Sequence, residues 1–230
     1  MDAPTWVARS GLMSSLSKPS PIWTVIVPVK QTTIAKSRLT RLSSADRGQL
    51  ALAFALDTVT AALSCPWVRR VVVVTSDPAA GAFTEAGAVV LRDEPEAGLN
   101  AALTYAASAI RRSTADACLA AVSGDLPAVD PQSFSCVFAA ASAPRWFVAD
   151  ISGSGTTLLA ANGLSPLLPA FGPNSRARHQ SGGARESSQP GLDRLRRDVD
   201  TEGDLLEAVR LGVGHHTSAA LGAIGWEPVR

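Results

Sequence analysis

Short runs of β-branched and apolar residues, each separated from the next by enough chain for a helix, constrain this sequence more than any other feature. Trp23-Thr-Val-Ile-Val-Pro-Val29 is nearly all apolar, as a strand covered on both faces should be. Arg70 to Thr75, Ala88 to Leu91, Ala117 to Val122 and Trp146 to Ile151 repeat the pattern, and Thr157 to Ala161 is expected to continue the last of them after a turn. Between them, Ser43-Ser44-Ala45-Asp46 offers a helix N-cap, and Leu52, Leu56, Val59 and Leu63 recur at helical spacing. Leu99 to Ile110 and Pro131 to Ala141 also read as helices. The polar stretch Ser181 to Pro190 reads as a loop, and Thr201 to Leu211 as a final short helix with Thr201 as its cap. Parallel strands need crossover connections of this length. The expected class is therefore α/β, a mostly parallel sheet with helices on both faces. In such sheets ligands bind beyond the carboxyl ends of the strands.

Composition narrows the function classes. The 230 residues are 46% hydrophobic and 18% charged, a globular balance with a net charge of +1. That charge supplies no global field for nucleic acid or an anionic membrane, so neither is expected as a partner. No run approaches the apolar length that spans a bilayer. Cys65, Cys118 and Cys136 form no C-x-x-C pair, and His179, His215 and His216 show no zinc-ligand spacing. Reduced thiols in a cytoplasmic protein are the expectation. Residues 1–22, rich in Ser and Pro, read as a disordered leader, residues 23–221 as one domain and residues 222–230 as a tail.

The strand ends carry the chemistry. No glycine stands between Trp23 and Arg47, which excludes both a G-x-G-x-x-G turn and a P-loop after the first strand. Lys30, Lys36 and Arg38 stand there instead, either a solvated basic loop or cations that neutralise a triphosphate. Ser123-Gly-Asp-Leu-Pro127 ends another strand, and Asp125 is either a turn cap or a Mg²⁺ carboxylate. Asp150 precedes Ser152-Gly-Ser-Gly-Thr-Thr157, a flexible turn or a loop presenting N–H groups to an anion. Ser175 could cap a short helix beside Arg176 and Arg178, with an anion at its N-terminus. Asp198 and Asp200 precede the last expected helix; Asp200 is either a second metal ligand, a place Asp150 could also take, or a helix-start charge favoured by the dipole. No Ser-His-Asp or Cys-His arrangement emerges. A phosphate nucleophile is already anionic at neutral pH and needs none, so the inventory suits phosphoryl-group chemistry.

Taken together, Val25-Ile-Val-Pro-Val-Lys30, Ala35-Lys-Ser-Arg-Leu39, Gly98-Leu-Asn100, Gly124-Asp-Leu-Pro127, Gly155-Thr-Thr157, Phe171-Gly-Pro-Asn-Ser175, Arg178-His179 and Asp198-Val-Asp-Thr201 resemble the 2-phospho-L-lactate guanylyltransferase family. Its actinobacterial members include phosphoenolpyruvate guanylyltransferases of coenzyme F-420 biosynthesis. The resemblance implies a nucleotide-diphospho-sugar transferase type of fold and attack of a phospho-acid on the α-phosphorus of GTP, with Mg²⁺ and release of pyrophosphate. It implies phosphoenolpyruvate binding by Thr157, Gly172 and Ser175, triphosphate binding and catalysis by Lys30, Lys36 and Arg38, metal binding by Asp125, beside which Asp200 is the expected second ligand from its own place in the sequence, and nucleotide binding by Gly98 and Asn100. The downstream coenzyme ligase would be a partner. Two positions depart from the family pattern: Asn174 stands where glycine is expected and Arg176 where an aromatic is. Rivals are a 2-phospho-L-lactate enzyme, a CTP or ATP nucleotidyltransferase acting on a sugar phosphate, and a non-catalytic nucleotide-binding regulator.

Overall fold

Trp23–Pro28 forms the central strand β1, buried along nearly its whole length as its unbroken apolar run requires. A computed structural model describes residues 22–30, 36 and 38–227, and the leader before residue 22 lies outside them. Helix α1 (Ser44–Leu63) starts where expected, with the Ser43 side chain accepting from the Asp46 N–H. Next come β2 (Val68–Val74), a 3₁₀ turn (Pro78–Ala80), α2 (Gly81–Glu85) and β3 (Val89–Leu91). Then follow α3 (Leu99–Ser113), β4 (Cys118–Val122), α4 (Pro131–Ala139), β5 (Arg145–Ala149) and β6 (Thr156–Ala161). The remainder is α5 (Ser175–Ser181), β7 (Arg185–Glu186), α6 (Asp193–Arg196), α7 (Glu202–Leu211) and α8 (His215–Ala223).

The strands form one seven-stranded sheet in the order β3-β2-β1-β4-β6-β5-β7. The pairs β1·β2, β1·β4, β2·β3 and β5·β7 are parallel. Strand β6 corrects one expectation: it does not extend β5 but turns back and inserts antiparallel between β4 and β5. An apolar run buried on both faces carries no sign of its direction, so the sequence could not distinguish the two. A register shift at its start pairs Val148 with Leu158 but Ala149 with Thr156, leaving Thr157 as the extra residue of a bulge.

Pleating divides the core. Val25, Val27, Val71, Val73, Ala120, Val122, Leu158 and Ala160 face α1 and α4, where Trp23 stacks on Phe138 at 4.7 Å. Ile26, Val72, Val74, Leu119, Ala121 and Leu159 face α3. A third cluster joins α1 to α7 and α8 through Leu50, Phe54, Leu205, Ala208 and Leu221. Helix α7 is closed by a capping box between Thr201 and Asp204. It is not the last helix: α8 follows, and the expected boundary at residue 221 falls inside it. The Asp57 carboxylate on α1 accepts from the N–H groups of His216 (3.0 Å) and Thr217 (2.8 Å) at the start of α8. No helix among the described residues is long and apolar enough to cross a membrane.

Candidate active site

The chain leaves β1 toward β2 on one side and reaches β4 on the other, so the β1/β4 boundary is the switch point where a parallel sheet opens a crevice. A cleft of about 390 Å³ lies there, at the carboxyl ends of both strands. Lys30, Lys36, Arg38, Asp125 and Asp200 line its polar side; Ala51, Ala55, Leu99, Leu103 and Phe171 line its apolar side. Gly124 eases the local packing: a Cβ there would sit 3.3 Å from the Pro28 carbonyl, a tight contact where β4 ends against β1. Two main-chain contacts hold the next residues. The Leu126 N–H donates to Thr58 Oγ1 (3.3 Å), and the Val199 N–H donates to the Asp125 carbonyl (3.0 Å). The second contact brings the Asp198–Asp200 segment beside Asp125.

Lys36 joins the two loops. Its Nζ lies 2.6 Å from Asp125 Oδ2 and 3.2 Å from Asp200 Oδ1, with only a tenth of its side chain exposed. Burial works to lower its pKa, but Asp125 and Asp200 together win and hold it above the usual lysine value. Its backbone has φ 54°, a left-handed conformation uncommon for a side-chain-bearing residue. Arg38 is largely exposed and only 3.9 Å from Asp200, a weak surface pair. Lys30 is exposed at the mouth.

Asp198 was noted in the sequence but not assigned, and it has the most perturbed carboxyl. Burial first, then the charge of Asp125 with smaller contributions from Asp200 and Asp150, pushes its pKa up to about 7. No three His, Cys, Asp or Glu side chains among the described residues form a ready metal cage. Three mutually repelling acids beside a cation-lined cleft nonetheless fit Mg²⁺, which takes one or two carboxylates and completes its shell with phosphate oxygens and water. Asp150 is engaged in its own loop. Its carboxylate accepts from Ser152 Oγ and from the N–H groups of Ser154 and Gly155, so it shapes the 152–155 turn.

The 170–175 segment borders the cleft at Phe171. Gly172 has φ 115°, and the Ser175 N–H closes a turn onto the Gly172 carbonyl (3.0 Å). Ser175 is the first residue of α5, not its cap; Asn174 occupies the cap with φ 56°. Asparagine tolerates that left-handed geometry, so the turn is made without the glycine that the resemblance leads one to expect. Arg176, the other departure, pairs with Glu186 at 2.9 Å and donates to the Gly153 carbonyl, bracing the neighbouring loop. Thr157 is fully buried and its Oγ1 has no hydrogen-bond partner among the described residues. Ser175 is buried too. Gly98, with φ 92°, opens α3, and the Asn100 side chain is engaged with the main chain of Phe171.

Sequence comparison identifies the relatives of this arrangement. Residues 23–228 match the sequence model of the family described as Guanylyl transferase CofC like. The chain belongs to the CofC-like guanylyl transferase family. The phosphoenolpyruvate guanylyltransferase of Streptomyces coelicolor is 50% identical over 202 residues, covering 86% of this chain and 94% of the relative. The enzyme of the same name from Thermomonospora curvata is 49% identical over 199 residues, covering 86% and 87%. Among solved structures, a Desulfovibrio desulfuricans protein described provisionally as a nucleotide-diphospho-sugar transferase superposes with a TM-score of 0.62 at 12% identity, covering 89% of this chain and 96% of that one. This CofC-like chain thus has the nucleotide-diphospho-sugar transferase type of fold, and it is a nucleotidyltransferase by family.

Proposed function

We propose that the protein transfers the guanylyl group of GTP to phosphoenolpyruvate, releasing pyrophosphate and giving enolpyruvoyl-2-diphospho-5'-guanosine for coenzyme F-420 biosynthesis. One observation carries the reading: Lys30, Lys36, Arg38, Asp125 and Asp200 line a single cleft at the β1/β4 switch point. The names of the relatives that are half identical over most of both chains support the acceptor.

An oxygen of the acceptor phosphate forms a bond to the α-phosphorus of GTP. The bond from that phosphorus to the bridging oxygen breaks, and pyrophosphate leaves with the electron pair. The nucleophile is anionic at neutral pH, so alignment and charge neutralisation carry the rate, and no general base is needed. Lys30 and Arg38, exposed at the mouth, meet the triphosphate and the departing pyrophosphate. Lys36 turns one of its donors from Asp125 and Asp200 to a phosphate oxygen. Asp125 and Asp200 would hold Mg²⁺, with Asp198 beside them; when bound, the ion supplies neutralisation of phosphate charge. Thr157, Gly172 and Ser175 hold the acceptor anion. The Thr157 hydroxyl, without a partner among the described residues, supports this role, because a buried hydroxyl left so costs about 1–3 kcal/mol that an anion would recover. The test is turnover of GTP with phosphoenolpyruvate, 2-phospho-L-lactate and 3-phosphoglycerate in parallel. Highest kcat/KM with phosphoenolpyruvate is expected, and preference for another acid would refute the acceptor assignment.

A further inference from the structure

We infer that Asn100 is a positioning residue for the acceptor side of the cleft: its carboxamide clamps the main chain of Phe171 and so fixes the Gly172–Ser175 turn, rather than reading the nucleotide. Asn100 is the second residue of α3 and half-buried. Its Nδ2 donates to the Phe171 carbonyl at 3.0 Å, and its Oδ1 accepts from the Phe171 N–H at 2.8 Å. A carboxamide presents a donor and an acceptor side by side, so it matches the two polar groups of one residue as a neighbouring strand would. The stretch from Asn162 to Asn174 has no regular secondary structure, and its buried peptide groups must find partners elsewhere.

A second anchor holds the same stretch from the other side. The buried His179 accepts the Ala170 N–H at Nε2 (2.9 Å), and the Phe171 ring meets the imidazole edge-on at 5.1 Å. Consecutive peptide groups at 170 and 171 are therefore fixed just before the chain turns at Gly172 into Ser175. Leu99, the neighbour of Asn100, and Phe171 both line the cleft, so the clamp also ties the apolar wall to the acceptor turn. The atoms that would contact a guanine edge are those that hold Phe171.

The inference rests on the reading of residues 172–175 as the acceptor side, and its test separates the two. Asn100→Asp keeps the size and the acceptor but sets an oxygen against the Phe171 carbonyl; Asn100→Leu removes both bonds. Both variants are expected to raise the KM for phosphoenolpyruvate about tenfold or more, with the KM for GTP within about twofold and the preference for GTP over ITP unchanged. In the ligand-free Asn100→Leu protein, amide exchange at Phe171 is expected to accelerate. A rise in the GTP KM with an unchanged acceptor KM, a lost purine preference, or unaltered exchange at Phe171 would overturn the clamp. If the unsubstituted protein turned over with no phospho-acid, the acceptor reading itself would fall and the inference with it.

Discussion

His179 offers a stability experiment whose sign is fixed by the structure. The imidazole is 3% exposed, and burial above all, with Arg178 and Arg145 nearby, lowers its pKa from 6.5 to about 4. Because Nε2 accepts the Ala170 N–H, the neutral ring carries its proton on Nδ1 and donates to Thr156 Oγ1 at 3.0 Å. Above pH 6.5 neither the folded nor the unfolded chain binds a proton here, and the contribution to stability is whole. Between 6.5 and about 4 only the unfolded chain binds one, so stability falls with pH; below about 4 the contribution is lost. The gap is worth up to about 3 kcal/mol. His179→Leu removes the titration and leaves Thr156 Oγ1 and the Ala170 N–H without their partner. It should cost about 2–4 kcal/mol near pH 7.5, for two buried hydrogen bonds. Urea unfolding of both proteins, followed by tryptophan fluorescence, should show that difference shrink by most of the linkage value near pH 4.5. Subtracting the variant removes the carboxylates common to both. A difference that stays constant across this range would refute a buried neutral histidine.

Three further outcomes follow from particular contacts. Gly214→Ala would set a Cβ 2.3 Å from the Asp57 carboxylate that caps α8, so thermal unfolding should reveal a loss of about 3 kcal/mol or more; a variant as stable as the parent would contradict the packing of α8 on α1. Asp125→Asn should lower kcat by several powers of ten with circular dichroism unchanged, and near-normal turnover would remove Asp125 from the proposed chemistry. Asp198→Asn should be more stable than the parent by about 1–2 kcal/mol near pH 8, because burial and Asp125 raise the folded pKa to about 7 from an ordinary 3.8. That advantage should shrink as pH falls through 7 toward 4, where the folded parent takes up its proton first; an advantage independent of pH would contradict the raised pKa.

Legibility in the sequence followed the range of the interaction. Strand β1 and helix α1 were readable because their signals are local: an unbroken β-branched run, and a Ser43 cap with Asp46 three residues on. The glycine-like turn before α5 was anticipated only in part, since Ser175 and Asn174 are both plausible caps and only the backbone torsion separates them. Helix α8 went unread because its alanines and glycines show no single apolar face, and its anchor is Asp57, 159 residues before His216. The contacts inside the site are long-range in the same way. Lys36 and Asp125 were each picked out at strand ends, but nothing in their spacing of 89 residues shows that they touch. The motif that holds Asn100 points to the nucleotide, and nothing local shows its contact with Phe171, 71 residues away on an irregular segment. Strand-end placement finds candidates; only packing shows which of them hold one another.

The proposed function stands or falls on transfer of the α-phosphorus of GTP to a phospho-acid. Incubation of the protein with Mg²⁺, phosphoenolpyruvate and GTP labelled at the α-phosphorus tests it most directly. Label is expected in a new species with the mass of enolpyruvoyl-2-diphospho-5'-guanosine, with one pyrophosphate released for each molecule formed and neither product when the acid is omitted. Pyrophosphate released at the same rate without the acid, or label recovered only as GTP, would contradict it.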